Sequence, residues 1–212
     1  MTMSILVVEI KARCDDPAAA RRFLEASGGL FIGEDFQTDT YFRVSEGRLK
    51  LREGRIENAL IRYHRADEVG PRRSDVILYK TAPGSLLKEV LLSALEVRVR
   101  VEKWREIWFI DNVKFHIDRV KDLGSFLEIE AISEDFDDLE HGDASEHGDA
   151  SEDGVASEDG DASEGGVANE EALRAQCEHF MAGLCVSRED LVSVSYADLL
   201  EEVRDQTAAL QQ

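Results

Sequence analysis

Charged and apolar residues alternate along "VVEIKAR" (residues 7–13). Glu9, Lys11 and Arg13 fall on one side, and Val8, Ile10 and Ala12 on the other. That period of two predicts a β-strand, and it returns in "DTYFRV", "RLKLRE" and "ALIRYHR", with turn signals at Glu46-Gly47 and Glu53-Gly54. A "GPRRSD" loop leads into "VILYKT". Three more β-rich stretches follow, "EVRVRVEKWREIWFI", "VKFHIDRV" and "SFLEIEAIS", joined at Asp111-Asn112 and Leu123-Gly124. Helical spacing replaces the alternation in "DDPAAARRFLEAS". There Asp16 is the expected N-cap, Pro17 opens the helix, Ala20, Phe23 and Leu24 form the apolar stripe, and Gly28-Gly29 ends it. A second helix is expected over residues 83–95, begun by Pro83 and amphipathic through Leu86, Leu87, Val90, Leu91 and Ala94. Helical pattern resumes in "EEALRAQCEHFMAGL" and in "REDLVSVSYADLLEEVRDQTAAL". Many strands and few helices predict an α+β chain whose antiparallel sheet closes into a barrel or curves strongly.

Residues 140–169 break the pattern with a hexapeptide repeat: EHGDAS, EHGDAS, EDGVAS, EDGDAS, EGGVAN. It has almost no large apolar side chain, so nothing offsets the entropy of ordering it. A calcium-binding β-helix needs a longer glycine–aspartate period with an apolar residue in each turn. Residues 134–170 are therefore expected to be a disordered acidic insertion within a single domain spanning 1–212. The insertion also changes what the charge means. The formal net charge of −20 speaks against nucleic acid and anionic membrane as partners. Yet residues 134–170 hold 15 of the 45 acidic residues and no Lys or Arg, leaving 30 acidic against 25 basic elsewhere. The folded part is nearly balanced. Only 7 of the basic residues are Lys against 18 Arg, and an acid-rich, Lys-poor surface suits a protein dissolved in concentrated salt. Cys14, Cys177 and Cys185 show neither a CxxC pair nor a zinc spacing, which fits free thiols in a reducing compartment. No apolar run approaches the roughly 20 residues needed to cross a bilayer, so a soluble, cytoplasmic protein is expected.

Candidate chemistry lies in the charged rows. Beyond the first strand, Lys50 and Arg52 share a face, as do Lys103 and Arg105, then Lys114, His116 and Asp118, then Glu128 and Glu130. One such row is ordinarily a solvated surface. Five rows with apolar backs imply that the backs pack on helices while the charged fronts face one another or water. A closed sheet with the fronts inward has a lumen of both signs, costly unless each charge finds a partner. The occupant that satisfies it is a polyanion with a divalent metal, because Lys and Arg donate to phosphate oxygens and carboxylates ligate hard cations. Glu9 then holds metal and Lys11 holds phosphate. The ordinary readings are Arg13 at the surface, His116 as a packed or hydrogen-bonded histidine, and Trp104 and Trp108 in packing. Arg62 and Arg65 lie on opposite faces, so only one points inward.

These segments resemble the CYTH superfamily, the triphosphate tunnel metalloenzymes, which includes class IV adenylyl cyclases and thiamine triphosphatases. "VEIKAR" looks like its ExExK signature. "RLKLREG", "LIRYHR", "GPRRSD", the K-x-R of "EKWRE", the Asp of "HIDRV" and the E-x-E of "LGSFLEIEA" follow in the family's order. The likeness covers about residues 5–133 and resumes in "REDLVSVSYADLL". It implies an eight-stranded antiparallel tunnel with helices packed outside. By the resemblance, Glu9, Glu128 and Glu130 ligate Mg²⁺ or Mn²⁺, with Asp118 close by. Lys11, Lys50, Arg52, Arg65, Arg73, Lys103 and Arg105 grip a triphosphate, and Lys11, Lys103, Arg105 and Asp118 form the catalytic set. Val7 stands where the signature has its first Glu, so one acidic ligand is missing. The activity implied is conversion of ATP to cyclic AMP and pyrophosphate. Hydrolysis of tripolyphosphate or thiamine triphosphate is the alternative, and a non-catalytic nucleotide or polyphosphate binder is a third. A partner-binding role for the acidic repeat is a fourth. The expected partner is a small-molecule triphosphate, with the oligomeric state open, a homodimer included.

Overall fold

A computed structural model describes residues 5–133 and 162–210. Its eight strands are β1 (Ile5–Arg13), β2 (Leu30–Phe42), β3 (Arg48–Glu53), β4 (Ala59–Arg65), β5 (Arg72–Lys80), β6 (Val97–Ile110), β7 (Val113–Val120) and β8 (Gly124–Ile132). They close into one antiparallel barrel in the order β1-β5-β4-β3-β2-β6-β7-β8. Closure runs between β1 and β8, with Glu9 opposite Glu130 and Lys11 opposite Glu128. The eight-stranded antiparallel barrel is thus as expected, with helices α1 (Pro17–Ala26), α2 (Leu87–Ala94), α3 (Ala162–Gly183) and α4 (Tyr196–Leu210) around it.

The apolar backs of the strands find their helices. Val8, Ile10, Phe115, Ile117, Leu127 and Ile129 pack on Ala20 and Leu24 of α1 and Leu173 and Cys177 of α3. Each large side chain so buried contributes about 1.5–3 kcal/mol. Asp16 caps α1 as expected, accepting from Ala19 N at 2.9 Å. Helix α4 behaves differently. Its Tyr196, Ala197 and Leu200 pack against Val99, Val101, Val120 and Phe126, all on inward-facing positions of their strands. The first turns of α4 therefore stopper one end of the barrel. A capping box holds that start, Ser195 N donating to Asp198 Oδ2 at 2.9 Å and Asp198 N to Ser195 Oγ at 3.2 Å.

Four elements differ from the sequence expectation. β2 begins at Leu30 rather than Asp39, its alternation disguised by a register shift at Gly33, whose φ of +153° suits glycine. β5 begins at Arg72, inside the stretch expected to be a loop. α2 starts at Leu87, because Pro83 and Gly84 (φ +70°) form a turn instead of a first helical turn. Leu86 just before it, and its own Val90 and Leu92, remain exposed. Finally, α3 begins at Ala162, within the last hexapeptides, where extending an anchored helix backward costs far less than nucleating one. The rest of the repeat, up to residue 161, lies outside the described residues.

Candidate active site

The strand alternation delivers five charged rows to one lumen, a cavity of about 560 Å³ lined by Glu9, Lys11, Lys50, Arg52, Arg65, Lys103, Arg105, Glu128 and Glu130. Two carboxylates act as hubs. Asp39, in β2, accepts from Arg52 at 2.9 and 3.1 Å, from Lys103 at 3.0 Å and from Lys50 at 3.2 Å. Asp118 accepts from Arg105 at 2.7 and 2.5 Å and from the Tyr196 hydroxyl at 2.9 Å. Glu128 joins them, 2.5 Å from Arg105 and 3.2 Å from Lys11. Near the open end, Glu57 accepts from Arg52 at 2.8 Å and from Lys114 at 2.5 Å. Asp35 fixes the loop that carries Glu57 by accepting from the backbone N–H of Arg55, Ile56 and Glu57 at 2.8–3.2 Å. Gly54 leaves room for that, since a Cβ there would come within 2.9 Å of the Asp35 carboxyl carbon.

Burial in so ionic a setting moves the titrations in opposite directions. Burial pushes the Asp39 carboxyl up, but Arg52, Lys103 and Lys50 outweigh it and hold it well below its ordinary value. Glu128 is likewise held low, by Arg105 and Lys11 against burial. For Lys103 burial and the Arg105 charge win over Asp39, bringing its ammonium down to about 7. Arg65 falls to about 10 through burial and the neighbouring Arg72.

Some groups in the same lumen are unmatched. Arg65 pairs with Glu9 through Nη1, yet its Nε and Nη2 are buried without an acceptor. Arg72 reaches Glu9 at 3.2 Å and the carbonyls of Val192 and Ser193 at 3.1 and 2.7 Å, while its Nη2 has no partner. On the acidic side, neither nitrogen of the buried His116 makes a hydrogen bond. Its Nδ1 lies 3.4 Å from Glu128 Oε2 and 3.5 Å from Glu130 Oε1. His116, Glu128 and Glu130 each offer one ligand atom, all within 4.8 Å of one another. A cavity holding spare cationic donors beside spare anionic acceptors has the donor set for a divalent ion with a phosphate chain.

Most residues expected at the site line this cavity, with two exceptions. Arg73 lies on the outer face, half exposed and paired with Asp75 and Glu170, because consecutive strand residues face opposite ways and Arg72 takes the inward place. Asp118 sits behind Arg105, its oxygens already taken by Arg105 and Tyr196, so it anchors that arginine instead of facing the cavity. Arg65 is inward with Ile61 and Tyr63, and Arg62 is exposed. Val7 joins Ile5 and Ile132 in an apolar cluster on the wall. The sequence reading passed over Asp39, Glu57, Arg72 and Tyr196. "DFQTDTYF" carries the same alternation as the other rows and would have exposed Asp39.

The family model of the CYTH domain matches residues 6–162. The chain belongs to the CYTH domain family. CYTH proteins are metal-dependent, and His116, Glu128 and Glu130 form a group that could hold such an ion. A Methanocaldococcus jannaschii protein with a provisional adenylate cyclase name is 28% identical over 145 residues, 63% of this chain and 81% of that protein. Among solved structures, a conserved hypothetical protein of Pyrococcus furiosus aligns with a TM-score of 0.65 at 18% identity, covering 91% of this chain and 99% of that one. A Vibrio parahaemolyticus protein, also provisionally described as an adenylate cyclase, gives 0.62 at 16%, covering 94% and 99%. These structural likenesses establish a shared CYTH fold. Among the described residues, no helix is long and apolar enough to cross a membrane.

Proposed function

We propose that this CYTH protein is a metal-dependent enzyme of triphosphate chemistry that converts ATP to cyclic AMP and pyrophosphate. The reading rests on one observation: buried guanidinium nitrogens of Arg65 and Arg72 without acceptors lie inside the same barrel as the unpartnered nitrogens of His116, whose neighbour Glu130 lines the cavity. The Methanocaldococcus jannaschii relative's name supports the cyclase over hydrolysis. So does the order of groups along the strands. On β1, Lys11 lies one inward step nearer the α4 stopper than Glu9, and on β8, Glu130 lies one step nearer the open end than Glu128. A nucleoside triphosphate entering terminal phosphate first meets cations with its outer phosphates and carboxylates with its α-phosphate.

Glu128 and Glu130 fit a divalent ion, which when bound supplies Lewis-acid activation of the ribose 3′-hydroxyl. Arg65 and Arg72 grip the outer phosphates through their free nitrogens, while the charges of Lys11 and Lys103, each still held by its carboxylate, help stabilise departing pyrophosphate. Arg105, fixed by Asp118 and Glu128, sets the positive wall of the lumen. Asp118 and Tyr196 position Arg105 and take no part in proton transfer. The direct test supplies purified protein with ATP, tripolyphosphate or thiamine triphosphate, each with Mg²⁺ or Mn²⁺. Cyclic AMP from ATP is expected; orthophosphate alone would make it a triphosphatase, and no turnover under any metal would overturn the enzymatic reading.

A further inference from the structure

We infer that His116 is an inner-sphere nitrogen ligand of the divalent metal, completing with Glu128 and Glu130 a site that prefers Mn²⁺ or a later transition metal to Mg²⁺. The inference rests on the metal-dependent reading above and goes beyond it in naming a nitrogen donor and the class of ion it selects.

The geometry is unusual for a packed histidine. His116 is 1% exposed, and a buried imidazole normally donates from one nitrogen and accepts at the other. Here neither nitrogen makes a hydrogen bond of ordinary geometry, and Nδ1 has only two long contacts, to carboxylates at 3.4 and 3.5 Å. Those distances fall outside the 2.7–3.2 Å usual for an N–H···O bond. Three groups with lone pairs thus converge at a separation natural for ligands of one cation. Glu128 is pre-oriented by Lys11 and Arg105. Glu130 is held by no Lys or Arg among the described residues. Register explains how the histidine arrives: His116 is the cross-strand neighbour of Glu128 on β7, on the opposite side of β8 from β1. Val7 removes an acid from β1, and His116 restores a ligand on β7, moving the site one strand round the barrel. Chemistry then sets the metal. Mg²⁺ takes oxygen ligands and holds its waters, whereas imidazole suits the first-row transition ions.

The test uses the full chain with Mn²⁺ alone, read by electron paramagnetic resonance with selective ¹⁵N labelling of histidine. A directly bound imidazole couples its nitrogen to the Mn²⁺ electron spin, and the labelled protein shows that coupling changed from ¹⁴N to ¹⁵N. Of the five histidines, His141 and His147 lie in the acidic repeat, so His116→Gln is the control. The expected result is loss of the coupling in His116→Gln, with Mn²⁺ affinity down about tenfold or more and Mg²⁺ affinity changed far less. Mn²⁺ bound at the lumen without histidine coupling would overturn the nitrogen ligand and leave the metal-dependent reading standing. No Mn²⁺ binding in the wild-type lumen would overturn both. Should His116→Gln fail to fold, a variant with the other four histidines, His64, His141, His147 and His179, replaced by Gln serves as the control: coupling that persists there supports His116, and coupling lost there comes from elsewhere and overturns the inference.

Discussion

Two regions of one lumen are built on opposite terms. Around Asp39 and Asp118 every charge has a partner: three cations converge on the first, and a bidentate guanidinium and a phenol on the second. A few ångströms along the same strands, His116 and Glu130 meet without a hydrogen bond, and beyond β1, on β5 and β4, Arg72 and Arg65 keep idle donors. The sequence pattern is the same in both regions, a charge at every second position. The difference lies in what the neighbouring strand presents. A saturated hub holds the barrel open against collapse of its polar lining, whereas an unsaturated corner has desolvated its groups and still awaits compensation. Function is read from the second, stability from the first.

The sharpest way to break this division is at a hub. Arg105→Met strips Asp118 and Glu128 of their shared donor and should destabilise the protein by about 3–5 kcal/mol, measured by urea unfolding. A loss under about 1 kcal/mol would show that the hubs are not structural. Arg65→Gln should do the reverse: Glu9 keeps Arg72, so stability changes little, while tripolyphosphate affinity by calorimetry falls roughly 10- to 100-fold. Equal losses in both variants would erase the distinction.

A smaller effect comes from Lys103, whose ammonium is brought from the usual 10.5 to about 7. Because the folded value is the lower one, the cost of keeping this lysine charged is fully felt below about pH 7. It fades as pH rises toward the unfolded value. A bound polyanion favours the protonated form, so tripolyphosphate affinity should fall as pH rises above about 7, by up to about tenfold per unit. Lys103→Gln should flatten that slope, and an unchanged slope would assign the proton elsewhere. Least of all should Arg73→Ala matter. Its outer-face pairs with Asp75 and Glu170 are worth under about 1 kcal/mol, and anion affinity should stay within about twofold.

The barrel was legible because inward and outward positions alternate with chemistry in β1, β6 and β8, and because a period of two has one structural meaning. Parity also explains the slip at Arg72 and Arg73: two adjacent arginines offer no pattern of their own, and only pairing with Glu9 decides which one enters. Asp39 is hidden because the plain alternation in the sequence begins there, short of the inward series Asp35, Gln37, Asp39 that the full strand carries. Glu57 and Tyr196 lie outside the strands, in a loop and a helix start, so no periodicity could place them in the lumen. Nor could the sequence say which charges remain unmatched, since that depends on contacts between strands far apart in the chain.

Ligand goes to the unmatched groups while both hubs keep their partners. A crystal structure with Mn²⁺ and tripolyphosphate tests it most directly. Phosphate oxygens are expected on the free nitrogens of Arg65 and Arg72, with the ion between Glu128, Glu130 and His116 and both hubs unchanged. Phosphate outside the lumen, or bound only after Asp39 or Asp118 has released its cations, would contradict it.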